Sequence, residues 1–260
     1  PQSREPQRRL KIGYITRYFS STNEAFFTRS LLEYHNHDEF EVFFYAEVFK
    51  PDQGTAEFKS LADHWRNTQG MSDQQIAELI LQDQIDLLVD PGSGHCAGTR
   101  LEVLALKPAT LQVSFYNISL GFSRIQYRFT DPLIDPPDHP FPNTEILLQL
   151  PYAYCYTPPQ TFPDLSNPPF EQNHFITFGS FNHLAKINEQ VIEVWASILQ
   201  KIPESQLILK AKDFQHPETQ QRILREFSHY GIASDRLQLL PFSSSRYEHL
   251  EMYHHIDVAL

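Results

Sequence analysis

The amino-acid sequence predicts an α/β fold with two sheets, each built from parallel strands and covered by helices. Short apolar runs alternate with longer amphipathic runs in two consecutive series, over about 10–129 and about 175–260. Such alternation is typical of strand–helix–strand units. Prolines crowd the segment between the series, at about 130–170, and proline interrupts strands and helices because it lacks an amide hydrogen. The sequence therefore predicts two domains, residues 1–160 and 161–260.

The first series supplies the predicted strands and helices of the first domain. The strands cover 10–15, 40–45, 85–90, 111–115 and 127–129, and the helices cover about 26–36 and 72–83. In the second helix the apolar residues Ile76, Leu79 and Ile80 share one face, as expected of a helix that packs on a sheet. The strand at 85–90 is apolar almost throughout, which is typical of a parallel sheet covered on both faces.

The second series repeats this pattern up to the last residue. Its predicted strands cover 175–179, 207–209, 237–240 and 256–260, and its predicted helices cover about 188–201, 217–230 and 245–253. The chain begins at Pro1 rather than methionine, and no turn follows its last strand, so we expect the second domain to be incomplete. Ligands of such folds bind beyond the carboxyl ends of the strands, which predicts a site in a cleft between the domains.

Composition excludes several classes of protein. The formal net charge of -11 argues against non-specific nucleic-acid binding, because phosphate backbones require Lys and Arg. The basic cluster Arg4, Arg8, Arg9 and Lys11 is interpreted as a solvated linker. Two cysteines make no disulfide framework and fit a reducing compartment. With no apolar run of about 20 residues and no signal-like start, we expect a cytoplasmic protein without a membrane partner.

A glycine-rich loop after the strand at 85–90 is the first candidate site. Residues 90–98 read Asp-Pro-Gly-Ser-Gly-His-Cys-Ala-Gly, and glycines at a strand end let the backbone approach a ligand closely. His95 lies in this loop. The pattern is not GxGxxG, however, and a glycine cluster alone is a weak signal. A plain turn with an exposed histidine is the alternative interpretation.

The second candidate lies between a predicted strand and a predicted helix, over residues 179–188. It contains Asn182, His183 and Lys186, and Asn188 begins the helix. A lysine just before a helix N-terminus can bind an anionic ligand together with the free amide groups of that helix. The alternative is a surface lysine in an ordinary loop.

The remaining polar motifs support no metal site and no other reaction. Glu248 and His249 share a helical turn, and His254 and His255 are adjacent, but no ligand set with metal spacing accompanies them. We therefore predict no metal. The sequence also lacks a GxSxG elbow and a Walker A motif, so nothing supports a hydrolase triad or a P-loop enzyme.

Several segments together carry a resemblance to a known family. Their order and spacing match over 10–15, 40–45, 85–90, 94–98, 105–109, 112–114, 127–132, 178–187, 248–250 and 256–260. The most specific is Asn-His-Leu-Ala-Lys at 182–186. By these segments the chain resembles the O-linked N-acetylglucosamine transferases and their Spindly-like relatives. That resemblance implies the GT-B fold, with two Rossmann-like domains of which the second is cut short here, usually behind tetratricopeptide repeats.

The resemblance also implies a reaction and a set of site residues. The family transfers a sugar from a nucleotide donor, most often UDP-GlcNAc, to Ser or Thr hydroxyls of proteins, with inversion and without a metal or other cofactor. Lys186 matches the lysine that holds the donor diphosphate, and Asn182 and His183 match positions near it. His249 matches a histidine beside the donor's base. His95 would face the acceptor and, with Lys186, is the candidate catalytic residue; no general base is assigned.

Departures from the family pattern leave other functions open. Thr22 stands where the family has an active-site histidine, and 115–120 read Phe-Tyr-Asn-Ile-Ser-Leu where the family has Trp-Leu-Gly-Tyr-Pro-Gly. A Gly- and Thr-rich loop that completes the family's donor site is expected after Leu260. One alternative is a transferase that uses GDP-fucose or UDP-glucose. The other is a degenerate member of the fold that only binds.

Overall fold

A computed structural model describes residues 8–91, 100–115, 119, 121–138, 142–153, 156–159, 161–243 and 245–260. The chain divides into two compact units, Pro1–Pro158 and Pro159–Leu260. We call these unit 1 and unit 2. Within the described residues each unit has its own sheet, and all strand pairs are parallel. The predicted α/β architecture with two parallel sheets is confirmed.

The described part of unit 1 forms a seven-stranded sheet in the order β3-β2-β1-β4-β5-β6-β7. The strands are β1 Leu10–Thr16, β2 Phe40–Ala46, β3 His64–Asn67, β4 Leu87–Asp90, β5 Leu111–Ser114, β6 Tyr127–Thr130 and β7 Ile146–Gln149. The central strands β1 and β2 pair along their whole length. β3 and β7 are not among the strands expected from the sequence. β7 also interrupts the irregular connection expected at about 130–170.

Helices cover this sheet. They are α1 Ala25–Glu33, α2 Gln53–Ser60, α3 Asp73–Asp83 and α4 Leu101–Ala105. Capping boxes begin two of them: Asp52 and Thr55 exchange side-chain and backbone hydrogen bonds at α2, as do Ser72 and Gln75 at α3. Each box satisfies amide groups that would otherwise lack a partner. α3 was expected at this place, whereas α2 has too few apolar residues to give a periodic signal.

The described part of unit 2 forms a four-stranded sheet in the order β10-β9-β8-β11. Its strands are β8 Thr177–Ser180, β9 Gln206–Lys210, β10 Leu237–Leu240 and β11 Val258–Ala259, and its helices are α5 Phe170–Asn173, α6 Glu189–Lys201, α7 Pro217–His229 and α8 Arg246–Glu251. The core lies between the sheet and the apolar faces of α6 and α7, represented by Ile192, Leu199, Leu207, Ile223 and Phe227. The carboxyl ends of β8 and β9, which are neighbours, meet at one edge of this sheet.

Gly179 allows the side chain of Ile256 to pack closely against β8 in unit 2. A Cβ at this position would lie 2.4 Å from Ile256 Cγ2 and 2.9 Å from its Cδ1, and Ile256 is buried. We therefore expect Gly179→Ala to lower the free energy of unfolding by about 1–3 kcal/mol, the usual cost of overpacking a core. Urea denaturation measures the loss. Gln190→Ala, on the exposed side of α6, is the control and should change stability by less than about 0.5 kcal/mol.

Among the described residues, no helix is long and apolar enough to cross a membrane.

Candidate functional site

The segment after β8 forms a tight, hydrogen-bonded loop. A 3₁₀ turn covers Leu184–Lys186, and the Lys186 amide donates to the His183 carbonyl at 2.9 Å. The Ala185 amide donates to His183 Nδ1 at 3.2 Å. The side chain of His183 is therefore used to begin the turn. The loop ends where Asn188 Oδ1 accepts from the Val191 amide at 3.0 Å and caps α6.

This loop brings together two of the residues expected from the sequence. Lys186 Nζ donates to Asn182 Oδ1 at 3.2 Å, and both side chains are exposed. An ammonium group has three donors, so this contact leaves Lys186 able to bind further acceptors. Along the chain, Lys186 lies between the end of β8 and the start of α6, where the amide groups of a helix favour negative charge. The arrangement suits an anionic ligand.

Lys210, which the sequence did not single out, lies next to His249. It is the last residue of β9 and is only 4% exposed. Its Nζ is 2.5 Å from His249 Nδ1 on α8. The rings of Phe181 and Phe242 lie 5.4 and 5.9 Å from the ammonium. Because Phe181 directly precedes Asn182, the Lys210–His249 pair adjoins the loop that carries Lys186.

The surroundings of this pair disfavour charge on either member. Burial lowers the pKa of Lys210, and Glu248 partly opposes this shift. Burial also lowers the pKa of His249, and the positive charges of Lys210 and Arg246 lower it further. At neutral pH the imidazole is therefore uncharged, since it starts from an ordinary pKa of about 6.5.

A hollow of about 260 Å³ borders Lys210 at the ends of β9 and β10. Its lining comprises Lys210, Gln238, Leu240, Pro241, Phe242, Ser243, Met252 and His255. A half-buried space with a few polar groups is a common form of small-molecule site. The Phe181 ring lies near both His249 and Lys210, so the loop that carries Asn182, His183 and Lys186 begins beside this pair.

Unit 1 has its own polar cluster at the carboxyl ends of its strands. Glu47, which follows β2 and is buried, binds Arg17 and Arg100, each at 2.5 Å. Arg100 also binds Asp73 at 2.7 Å. These ion pairs connect the end of the glycine-rich segment to β2 and α3. They fix the charged groups to one another, which argues for a structural role.

Several residues expected on the acceptor side fall outside the described residues. His95 lies in the segment 92–99, and most of 115–120 is likewise not described. Thr22 is described: it is half-buried, and its Oγ1 is shielded and has no hydrogen-bond partner in the described part of the chain. The role expected of His95 therefore stays a prediction. No cluster of metal-binding side chains occurs among the residues that the structure describes.

Comparison with known proteins identifies the family. Residues 1–162 match the model of glycosyl transferase family 41. The chain belongs to this family. It is 35% identical, over 99% of its length, to a probable UDP-N-acetylglucosamine--peptide N-acetylglucosaminyltransferase SPINDLY of Arabidopsis thaliana, of which it spans 29%. The predicted family resemblance is confirmed, and the chain spans less than a third of this curated relative.

Solved structures confirm the GT-B fold. A mutant O-GlcNAc transferase of Thermobaculum terrenum superposes with a TM-score of 0.87 at 32% identity, over 100% of this chain and 49% of that one. A glycosyltransferase of Rickettsia africae ESF-5 matches with a TM-score of 0.56 at 12% identity, over 96% of this chain and 72% of that one. The second likeness concerns the fold alone.

Proposed function

We propose that this chain contributes the donor site of a protein glycosyltransferase that moves N-acetylglucosamine from UDP-GlcNAc to Ser or Thr hydroxyls, with inversion and without a metal. The observation that carries the proposal is the placement of Lys186, held by Asn182 between β8 and the start of α6. The similarity to SPINDLY of Arabidopsis thaliana supports the proposal, because that relative is named as a probable UDP-N-acetylglucosamine--peptide N-acetylglucosaminyltransferase.

Lys186 would bind the donor diphosphate and stabilise the charge that forms on it as the sugar leaves. A cation fixed in place before the reaction lowers the barrier most when the charge appears mainly in the transition state. Asn182 orients the ammonium through its 3.2 Å contact. The backbone of the turn at 183–186 and the start of α6 add further donors for phosphate oxygens.

His249 would lie beside the base of the bound nucleotide. It belongs to α8 and packs near Phe181 and Tyr253, with ring centroids 6.0 and 5.8 Å away. His183 would lie near the diphosphate, although its Nδ1 already accepts a backbone hydrogen bond. The nucleotide sugar is thus a co-substrate, and the other partner is a protein or peptide acceptor.

Metal independence is testable with the complete gene product. In a transfer assay with UDP-GlcNAc and an acceptor protein, we expect the rate to be unchanged in excess EDTA, because Lys186 and helix amides replace a metal at the diphosphate. A metal-dependent nucleotide-sugar transferase, assayed in parallel, should lose activity. Loss of transfer that Mg²⁺ or Mn²⁺ restores would contradict the proposal.

The second candidate function is a binding module without catalysis. It is favoured by Thr22, which stands where the family resemblance places a histidine. Titration calorimetry with UDP-GlcNAc, UDP-glucose and GDP-fucose identifies the donor, and product analysis then separates the functions. Tight binding of one donor with no hydrolysis and no transfer by the complete gene product would favour the module.

A further inference from the structure

Lys210 is buried without a carboxylate beside it. In the described part of the chain, no acidic oxygen lies within ion-pair distance of its Nζ, and its one side-chain hydrogen-bond partner is His249. The rings of Phe181 and Phe242 also lie near it, with centroids 5.4 and 5.9 Å from the ammonium. Removing an ammonium group from water is costly unless it is paired. A lysine kept here at such a cost indicates a role beyond packing.

The contact with Lys210 determines which ring nitrogen of His249 carries the proton. An ammonium group only donates hydrogen bonds. While Lys210 is protonated, His249 Nδ1, which lies 2.5 Å from its Nζ, must therefore accept. An accepting Nδ1 requires a neutral ring whose proton is on Nε2.

Among the described residues, the two charged groups that shift the pKa of His249 both lower it. Lys210 approaches from β9 and Arg246 from the first turn of α8, and both oppose protonation of the ring. Glu248 acts on Lys210, whose charge it favours. Phe181 and Tyr253 complete the surroundings with ring contacts. The ring is thus neutral at pH 7, with Nε2 as its only donor.

We propose that Lys210 is a positioning residue that holds His249 as the neutral Nε2–H tautomer, so that Nε2–H donates a hydrogen bond to an oxygen of a bound nucleoside diphosphate. The tautomer follows from the contacts above for a protonated Lys210. Only the identity of the ligand rests on the proposed function. A histidine held this way offers a hydrogen-bond donor without a positive charge. It therefore contributes a directional hydrogen bond to the nucleotide rather than a general attraction for anions.

The first test measures which ring nitrogen of His249 carries the proton. In ¹⁵N-histidine spectra of the 260-residue chain at pH 7, His249 should show a protonated Nε2 and an unprotonated Nδ1, with its signals assigned by their loss in His249→Gln. In Lys210→Met, which keeps the apolar stem, the pKa of His249 should rise and the Nδ1–H tautomer should appear. A wild-type His249 that carries its proton on Nδ1 would overturn the proposal without any variant.

The second test measures the consequence for binding in the complete gene product, with UDP as the probe. Lys210→Met should raise the Kd for UDP about 3- to 10-fold at pH 7, the range expected for one neutral hydrogen bond. The matched control is Lys212→Met, an exposed lysine just after β9, which should bind UDP like the wild type. Lys210→Arg, which keeps a donor, should keep the Nε2–H tautomer.

The outcomes separate this proposal from the proposed function. If the wild type does not bind UDP while His249 has the expected tautomer, the donor-site function fails and the role assigned to Lys210 in nucleotide binding fails with it, but the tautomer stands. If UDP binds and Lys210→Met weakens it no more than Lys212→Met does, the positioning role alone is wrong. Circular dichroism of each variant verifies that the sheet is intact.

Discussion

Replacing Lys186 by alanine is expected to lower the turnover of the complete gene product about a hundredfold, which corresponds to about 3 kcal/mol of lost transition-state stabilisation. The Michaelis constant for UDP-GlcNAc should rise much less. The reason is that the charge on the leaving diphosphate develops mainly in the transition state, so the ammonium, 3.2 Å from Asn182 Oδ1, contributes most there. Steady-state kinetics at varied donor concentration measures both constants.

Two further variants sharpen this test. Lys186→Arg should restore only part of the turnover, because a planar guanidinium places its charge differently from an ammonium. Lys201→Ala removes an exposed lysine at the other end of α6 and should leave turnover unchanged. Normal turnover in Lys186→Ala would remove the donor-site assignment and leave the binding module as the better hypothesis.

The strands and helices that could be predicted from the sequence are those whose apolar residues form a clear pattern. β1, β2 and β4 are buried on both faces over most of their length, so their sequences are largely apolar and easy to recognise. β3 is different, because it has the sequence His-Trp-Arg-Asn. Its polar side chains are satisfied by partners distant in sequence: His64 binds Glu41 and Arg66 binds Asp83. Only the folded chain supplies these partners.

In the candidate site, too, residues whose partners are distant in sequence could not be predicted. Asn182, His183 and Lys186 could be predicted because they lie within five residues of one another, between a recognisable strand and helix. Lys210 could not, because a lysine at the end of an apolar strand usually reaches into water. Its partner His249 is 39 residues away. The one available signal was the sequence Leu-Ile-Leu-Lys at 207–210, in which three apolar residues directly precede the lysine.

A buried ion pair in unit 1 gives the second large effect. Arg128 on β6 and Asp135 form two parallel hydrogen bonds of 2.8 Å, and their side chains are 2% and 5% exposed. Asp135 also accepts from Thr130 Oγ1, and Arg128 donates to Asn143 at 2.8 Å. A bidentate pair of this kind has good geometry. Its members nevertheless depend on each other, since either charge alone would be expensive to bury.

Asp135→Ala is therefore expected to lower the free energy of unfolding by about 3–5 kcal/mol, because it leaves the guanidinium of Arg128 buried without its counter-charge. Urea denaturation followed by circular dichroism measures the loss, and Asp138→Ala, at an exposed position three residues on, should change stability by less than about 0.5 kcal/mol. The double variant Arg128→Met with Asp135→Leu should be more stable than Asp135→Ala alone, since it removes both charges and keeps apolar volume. A double variant as unstable as Asp135→Ala would show that the loss comes from packing or from Thr130 and Asn143 rather than from an uncompensated charge.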